Sequence, residues 1–125
     1  MLATKKALTS LDLKAITREL RENCIDQYIV NIYQAGRFLQ LKTHSSRKGK
    51  KLINIMPGKF INISNYEFKK PEAIPIFCQI LRKKIRRGKI KNVTQLDYDR
   101  VLLIEIENKG EKCRLVVELV REGNI

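Results

Sequence analysis

The chain has 125 residues, the length of one ordinary domain, and residues 1–125 are expected to form a single one. It carries 26 Lys and Arg against 13 Asp and Glu, a formal net charge of +13, and a surface this basic most often has a nucleic-acid partner. No apolar run reaches the roughly 18 residues of a membrane span, and the N-terminus has no apolar run of signal-peptide length. We therefore expect a cytoplasmic protein with no membrane partner.

An α-helix is predicted from about Ser10 to Asn23, because Leu13, Ile16 and Leu20 repeat at helical spacing. Thr9 and Asp12 fit a capping box at its start. Four strands are expected next, at about 26–34, 37–43, 51–57 and 59–64, with turns at Ala35–Gly36 and Pro57–Gly58 and a basic polar loop before the third.

A second helix is predicted from about Pro75 to Arg87, with Gly88 as its stop signal. Its apolar stripe consists of Ile74, Phe77, Cys78, Leu81 and Ile85. Three strands are expected at about 89–96, 100–107 and 112–120, and residues 123–125 could begin another. The sequence shows no evident internal repeat. This order of elements predicts an α+β domain with antiparallel sheets.

Three cysteines, Cys24, Cys78 and Cys113, are far apart and have apolar neighbours, which predicts buried free thiols in a reducing compartment. The single histidine, His44, has no second histidine or paired cysteine beside it, so no metal site and no other cofactor is predicted. The chain also lacks a Ser-His-Asp set and a glycine-rich phosphate loop. We predict that it is not an enzyme.

Seven basic residues and no acid lie between Arg82 and Lys91. Two cations would be enough to complement the C-terminal end of a helix dipole, and charge runs are often only solvated. The excess favours contacts with nucleic-acid phosphates. The candidates in this run are Arg82, Lys83, Arg86, Arg87, Lys89 and Lys91, and those in the basic loop are Lys48, Lys50 and Lys51.

A polar group, Asp97, Asp99 and Arg100, separates two apolar runs. One interpretation is a solvated hairpin turn, since Asp favours turns. The other is an RNA contact. In it the acids accept hydrogen bonds from bases or 2′-hydroxyls, while Arg100 stacks on a base or donates a bidentate pair of hydrogen bonds to the RNA. Residues alone leave both interpretations open.

Three stretches resemble the NFACT-N domain of the NFACT ribosome quality-control family (RqcH, NEMF and Caliban type; fibronectin-binding protein A homologues). They are LDLKAITRELRENCI, PEAIPIFCQILRKKIRRGKIKNVTQLDYDRVLLIEI and LVVELVREGNI, and the resemblance covers about residues 8–125. It implies two antiparallel β-sheets in a sandwich with two helices, similar to the N-terminal domain of formamidopyrimidine-DNA glycosylases. Those enzymes use an N-terminal proline amine, whereas this chain starts Met1-Leu2-Ala3.

The resemblance further implies binding to tRNA and to the large ribosomal subunit with its rRNA, during rescue of stalled translation and C-terminal tailing. By position it assigns tRNA binding to Asp12, Asp99 and Arg100. The family's helix-hairpin-helix, coiled-coil and NFACT-R parts are not in this sequence, so it is expected to be the N-terminal part of a longer protein, with those domains as partners, or a reduced homologue. The alternatives are a non-catalytic docking domain for other domains or ribosomal proteins and, ranked last, a nucleic-acid-processing enzyme of glycosylase-like fold.

Overall fold

A computed structural model describes residues 10–67, 73–96 and 100–119, and these contain two helices and seven strands. The helices are α1, Ser10–Cys24, and α2, Ile76–Ile85. The strands are β1, Tyr28–Ala35; β2, Phe38–Ser45; β3, Gly49–Met56; β4, Phe60–Ser64; β5, Lys89–Gln95; β6, Val101–Asn108; and β7, Glu111–Glu118. The predicted α+β class and order of elements are confirmed. The predicted cap at Thr9, the turn at Asp97 and Asp99, and any strand at 123–125 lie outside the described residues.

All seven strands belong to one antiparallel sheet in the order β4-β3-β2-β1-β5-β6-β7. The two halves join at a short β1–β5 pairing, in which Tyr28 lies opposite Lys89 and the Ile29 N–H donates to the Gly88 carbonyl at 2.8 Å. Because hydrogen bonding continues across this junction, the structure has one sheet in place of the two that were predicted.

The sheet is strongly curled. Its outermost strands are β4 and β7, yet the Gly58 N–H, in the β3–β4 turn, donates to the Glu118 carbonyl at the end of β7 over 3.2 Å. Buried residues of both halves and both helices form one core cluster. It includes Leu41, Ile53, Ile90 and Ile104 from the sheet and Leu20 and Leu81 from the helices.

The helix stripes are mostly as predicted, since Leu13 and Leu20 of α1 and Cys78, Leu81 and Ile85 of α2 are buried. Ile16 packs partly against the core. The prediction was wrong for Ile74 and Phe77, which are exposed. Ile74 precedes the first residue of α2, and Phe77 lies one position, about 100° of helix rotation, from the buried Cys78.

The structure contains an internal repeat that the sequence analysis missed. Each helix is followed, two residues after its end, by a non-glycine residue with a left-handed backbone: Asp26 with φ 69° and Arg87 with φ 72°. The Asp26 N–H donates to the Ile90 carbonyl at 2.8 Å, and the Arg87 N–H donates to the Ile29 carbonyl at 2.7 Å. The two bonds are equivalent, because a rotation of 180° about a local axis between β1 and β5 would place Asp26 on Arg87 and Ile90 on Ile29.

The repeat continues into both strands. β1 has a register shift between Ile29 and Asn31, and β5 has one at the equivalent place, before Asn92. At each shift the asparagine Oδ1 accepts a hydrogen bond of 2.9 Å from the next backbone N–H, that of Ile32 or Val93. The shared sequence is Ile-X-Asn-(Ile/Val)-X-Gln, at 29–34 and 90–95.

Gly88 follows α2 as predicted, but for a different reason. Arg87 takes the left-handed conformation that a helix-terminating glycine usually supplies. A Cβ on Gly88 would lie 2.5 Å from Ile106 Cγ2 and 2.9 Å from the Ile85 carbonyl oxygen. A side chain at this position would therefore force Ile106 or the backbone at Ile85 to shift, which favours glycine.

Candidate nucleic-acid interface

The C-terminal half of α2 presents an exposed basic surface. Its apolar positions Leu81 and Ile85 face the core, which leaves the intervening cations on the outside. Lys83, Lys84 and Arg86 are exposed, as is Arg87 in the turn after the helix. Lys84 was part of the predicted basic run but was not chosen as a candidate, although its exposure matches that of its neighbours.

Arg82 differs from these cations because its side chain is partly buried and tied to β1. Its Nε donates to the Ile32 carbonyl at 2.8 Å, and its guanidinium carbon lies 5.6 Å from the centroid of the Tyr33 ring. The Cys78 Sγ also lies 3.3 Å from the same carbonyl. Beyond the junction with β5, no strand of the described residues pairs with this edge of β1, and side chains of α2 bond the Ile32 carbonyl there. Arg82 therefore fastens α2 to the sheet.

A groove of about 830 Å³ runs between the end of α2 and the β6–β7 turn. Asn108 holds the turn in place, because its Nδ2 donates to the carbonyls of Lys84 and Arg86 at 3.4 and 3.3 Å. The basic lining residues are Arg82, Lys83, Lys84, Arg86, Arg87 and Lys109. Glu111 is the acid among the described lining residues, so the groove is strongly positive and we name it the α2 groove.

Lys89 and Lys91 do not line the α2 groove, although they belong to the same basic run. Lys89 lies 3.7 Å from Asp26 and approaches the ring of Tyr28. Lys91 lies beside a separate groove with Glu105 and Arg114. The structure thus divides the predicted basic run between the helix and the outer face of the sheet.

The basic loop between β2 and β3 is a short turn, and its three lysines do not act together. The Lys48 Nζ donates to the Glu22 carbonyl near the end of α1. Lys50 is exposed and lies opposite His44, whereas Lys51 lies opposite the buried Thr43.

Burial raises the pKa of the Cys24 thiol to about 12, although the positive charges of Lys51 and Lys48 act to lower it. Burial likewise raises the pKa of Cys78, with Arg82 opposing the shift. Cys24 and Cys78 are buried as predicted, whereas Cys113 is only partly buried.

Of the three residues assigned to tRNA by resemblance, Asp12 lies in the first turn of α1 and Arg100 directly precedes β6. Both are partly buried, and neither side chain is free of interactions. The Arg100 carbonyl accepts a hydrogen bond from the Leu119 N–H at 2.8 Å, which fixes its backbone. Leu102, two residues further along on β6, is buried. Asp99 lies outside the described residues.

Within residues 10–67, 73–96 and 100–119, no helix is long and apolar enough to cross a membrane. In the same part of the chain, no three His, Cys, Asp or Glu side chains are grouped so that they could hold a metal ion.

The sequence matches, over residues 9–125, the protein-family model described as NFACT N-terminal and middle domains. The chain belongs to the NFACT family. An archaeal Rqc2 homologue, aRqcH of Methanocaldococcus jannaschii, is 31% identical over 97% of the chain and 19% of its own length. RqcH of Bacillus subtilis is 29% identical over 88% of the chain and 21% of its length. The human ribosome quality control complex subunit NEMF is 22% identical over 97% of the chain and 11% of its length.

These NFACT relatives are much longer than this chain, which spans about a fifth of their length or less. Solved structures agree with the fold. The N-terminal part of the fibronectin/fibrinogen-binding protein of Streptococcus suis superposes with a TM-score of 0.84 at 26% identity, covering 90% of this chain and 45% of that one. The N-terminal domain of the fibronectin-binding protein PavA of Streptococcus pneumoniae gives 0.83 at 24% identity, over 90% and 46%.

Proposed function

We propose that this chain is the RNA-binding domain of a cytoplasmic ribosome quality-control factor. It contacts tRNA, and the rRNA of the large ribosomal subunit, through the α2 groove, in the rescue of stalled translation and C-terminal tailing. The observation that carries the proposal is the α2 groove itself, where exposed Lys83, Lys84, Arg86 and Arg87 converge with Lys109 around one acid. Family membership supplies the ribosomal context.

The groove suits a phosphate backbone because its cations are solvent-exposed and spread over two elements. Phosphate contacts position a protein on RNA without selecting a base sequence. Selection among tRNAs is assigned, through the family resemblance, to Asp12, Asp99 and Arg100. The fixed backbone of Arg100 supports this role, since a side chain on a rigid strand end is held in register with its target.

The proposed role is binding without catalysis. A docking function is favoured by a separate observation. Ile74, Ile76 and Ile80 are exposed around the start of α2, and adjoining exposed apolar residues often mark protein contacts. Remaining NFACT domains or ribosomal proteins are the proposed occupants of that patch.

The test compares two variants with equal loss of charge. One replaces Lys83, Lys84 and Arg86 by glutamine. The control replaces Lys14, Arg18 and Arg21, exposed on α1, by glutamine. Binding of purified tRNA and of an rRNA fragment is titrated from low to high salt. If each α2 cation neutralises one phosphate, the slope of log K against log salt becomes shallower by roughly 2 for single strands and roughly 3 for duplex RNA.

The control should change the slope much less. If both variants bind RNA with the slope of the unmodified protein, or if they weaken it equally, the α2 groove is not the RNA site. If the unmodified protein binds neither RNA, the proposed function itself is wrong and the docking function is preferred.

A further inference from the structure

A row of outward-facing side chains crosses six of the seven strands. Residues directly opposite each other on antiparallel strands share a face of the sheet. The register places six such residues in line, from β3 across to β7: Lys50, His44, Tyr28, Lys89, Glu107 and Lys112. Tyr28 is the aromatic member of this row and lies next to its centre, at the junction of the two halves.

The ring of Tyr28 is unusually accessible for an aromatic residue on a central strand. The side chain is 51% exposed, and Val30 beside it on β1 is 44% exposed. Lys89 approaches from β5, with its Nζ 5.6 Å from the ring centroid, and Asp26 lies 3.7 Å from that Nζ. The ring is therefore supported from the β5 side by a cation that is itself held in place.

The internal repeat explains this pairing. Tyr28 and Lys89 occupy equivalent positions in the two copies, and they face each other across the local two-fold axis. One copy thus supplies an aromatic ring and the other a cation at the same point of the fold. A purely structural repeat would not require this difference in chemistry.

A groove of about 580 Å³ opens on the other side of Tyr28, towards β2. It is formed by the end of α1, the exposed start of β1 and the β2–β3 turn. Its lining residues are the apolar Ile25, Tyr28 and Val30, the polar His44, Ser45 and Ser46, the cations Arg47 and Lys48, and one acid, Asp26, which is paired with Lys89. An apolar floor with a basic rim matches a nucleotide, which has a flat apolar base attached to an anionic phosphate.

We propose that this groove, here named the Tyr28 groove, is a second RNA site, in which an unpaired base of single-stranded RNA stacks on Tyr28. Arg47, which lines the groove, and Lys89, on the other side of the ring, contact the flanking phosphates. The proposal rests on the RNA-binding function proposed above and adds a site for single-stranded segments. No aromatic side chain is among the described lining residues of the α2 groove, to which the proposed function assigns phosphate contacts.

The chain has no tryptophan, which allows a direct optical test. Tyr28→Trp places one fluorescent indole at the proposed stacking position. Tyr66→Trp is the matched control, because Tyr66 is 80% exposed and follows β4, three strands from β1. A single-stranded oligouridine should quench the indole of the Tyr28→Trp protein and leave that of the Tyr66→Trp protein unchanged. An abasic oligonucleotide with the same number of phosphates should quench neither.

Affinity provides an independent measurement. Tyr28→Ala should bind the oligouridine about 5-fold to about 150-fold more weakly, the range for one stacked base, whereas Tyr28→Phe keeps the ring and should bind within about 2-fold of the unmodified protein. Melting curves verify that each variant is folded. Because α2 is untouched, duplex RNA should bind all of these proteins with the same affinity.

The inference is overturned if the Tyr28→Trp signal does not respond to oligouridine, if the abasic strand quenches it equally, or if Tyr28→Ala binds like Tyr28→Phe. Quenching that depends on protein concentration in the absence of RNA would assign the groove to self-association, and that also overturns it. If duplex RNA still binds in any of these cases, the proposed function stands without the second site. If no RNA binds at all, both proposals fail.

Discussion

Replacing Arg82 by alanine should destabilise the protein, because the structure gives this residue a structural task that its exposed neighbours do not share. The substitution removes the 2.8 Å hydrogen bond from Arg82 Nε to the Ile32 carbonyl and the contact with the Tyr33 ring. A hydrogen bond from a charged donor contributes about 1.5–3 kcal/mol, and an exposed cation–π contact contributes about 0.5–1 kcal/mol. The Cys78 thiol remains beside the carbonyl at 3.3 Å and offsets part of the loss.

We therefore expect the free energy of unfolding to fall by about 2 kcal/mol. Unfolding entropy near the melting temperature is about 2.1 cal/mol/K per residue, so for 125 residues this loss lowers Tm by about 8 °C. Lys83→Ala is the control, since Lys83 is exposed beside Arg82 on the same helix. It should change the free energy of unfolding by less than about 0.5 kcal/mol.

Chemical denaturation and thermal melting of both variants provide the measurement. Equal stability of Arg82→Ala and Lys83→Ala would refute the argument that Arg82 fastens α2 to β1. Arg82→Lys refines the result, because a lysine keeps the positive charge but has no Nε–H at the required distance along the side chain. It should recover little of the lost stability. Full recovery would mean that charge, and not this hydrogen bond, stabilises the contact.

Two further predictions concern the core. Gly88→Ala should lower the free energy of unfolding by about 1–3 kcal/mol, because the added Cβ would clash with Ile106. Gly36→Ala, where φ is +60° and no atom lies near, should lower it by only about 1–2 kcal/mol through backbone strain. Denaturant titration measures both, and a smaller loss for Gly88→Ala would contradict the close approach. Because the pKa of Cys24 is raised in the folded protein, the unfolded chain loses its thiol proton first, near pH 9.0. The stabilisation associated with the protonated, buried thiol is therefore complete below pH 9 and is lost as the pH rises towards about 12. Between pH 8 and pH 10 the unmodified protein should therefore lose about 1.4 kcal/mol more than Cys24→Ala, and an equal loss in both proteins would show that this thiol is not shifted.

Local sequence signals were sufficient to predict most elements of the fold. Helical spacing located α1, and Leu13 and Leu20 are buried as expected. Turn residues separated the strands, and Leu102, Ile104 and Ile106, which alternate with less buried residues along the predicted strand at 100–107, all lie in the core. These predictions succeeded because each depends on periodicity within a few residues, which the sequence states directly.

Long-range pairing could not be predicted in the same way. The β1–β5 junction, which joins the two halves into one sheet, depends on backbone hydrogen bonds between residues about 60 positions apart, such as Ile29 with Gly88. Backbone groups carry no sequence signature. The repeat of Ile-X-Asn-(Ile/Val)-X-Gln was visible at 29–34 and 90–95, but two short matches among apolar strands gave no reason to expect a shared geometry.

The sequence indicated which basic residues belong to the candidate site, but not how the structure arranges them. Counting cations located the basic run but gave Arg82 the same role as Lys83. Only the structure shows that Arg82 is tied to a carbonyl of β1. Tyr28 was missed as a candidate because the sequence indicated only that it belongs to a strand at about 26–34. Its exposure depends on where β2 and β5 place their side chains beside it.

The turn at Arg87 and Gly88 divides the basic run between two surfaces of the protein. Before it, helical spacing directs Lys83, Lys84 and Arg86 towards the α2 groove; after it, Lys89 lies on the outer face of the sheet beside Tyr28. A Cβ at position 88 would lie 2.5 Å from Ile106 Cγ2, so the chain passes close to β6 at the point where the basic run divides. A single basic run thereby lines the α2 groove and places Lys89 beside Tyr28. Under the two proposals above, RNA with both paired and unpaired segments, as tRNA has, is the ligand class that would use both sites together.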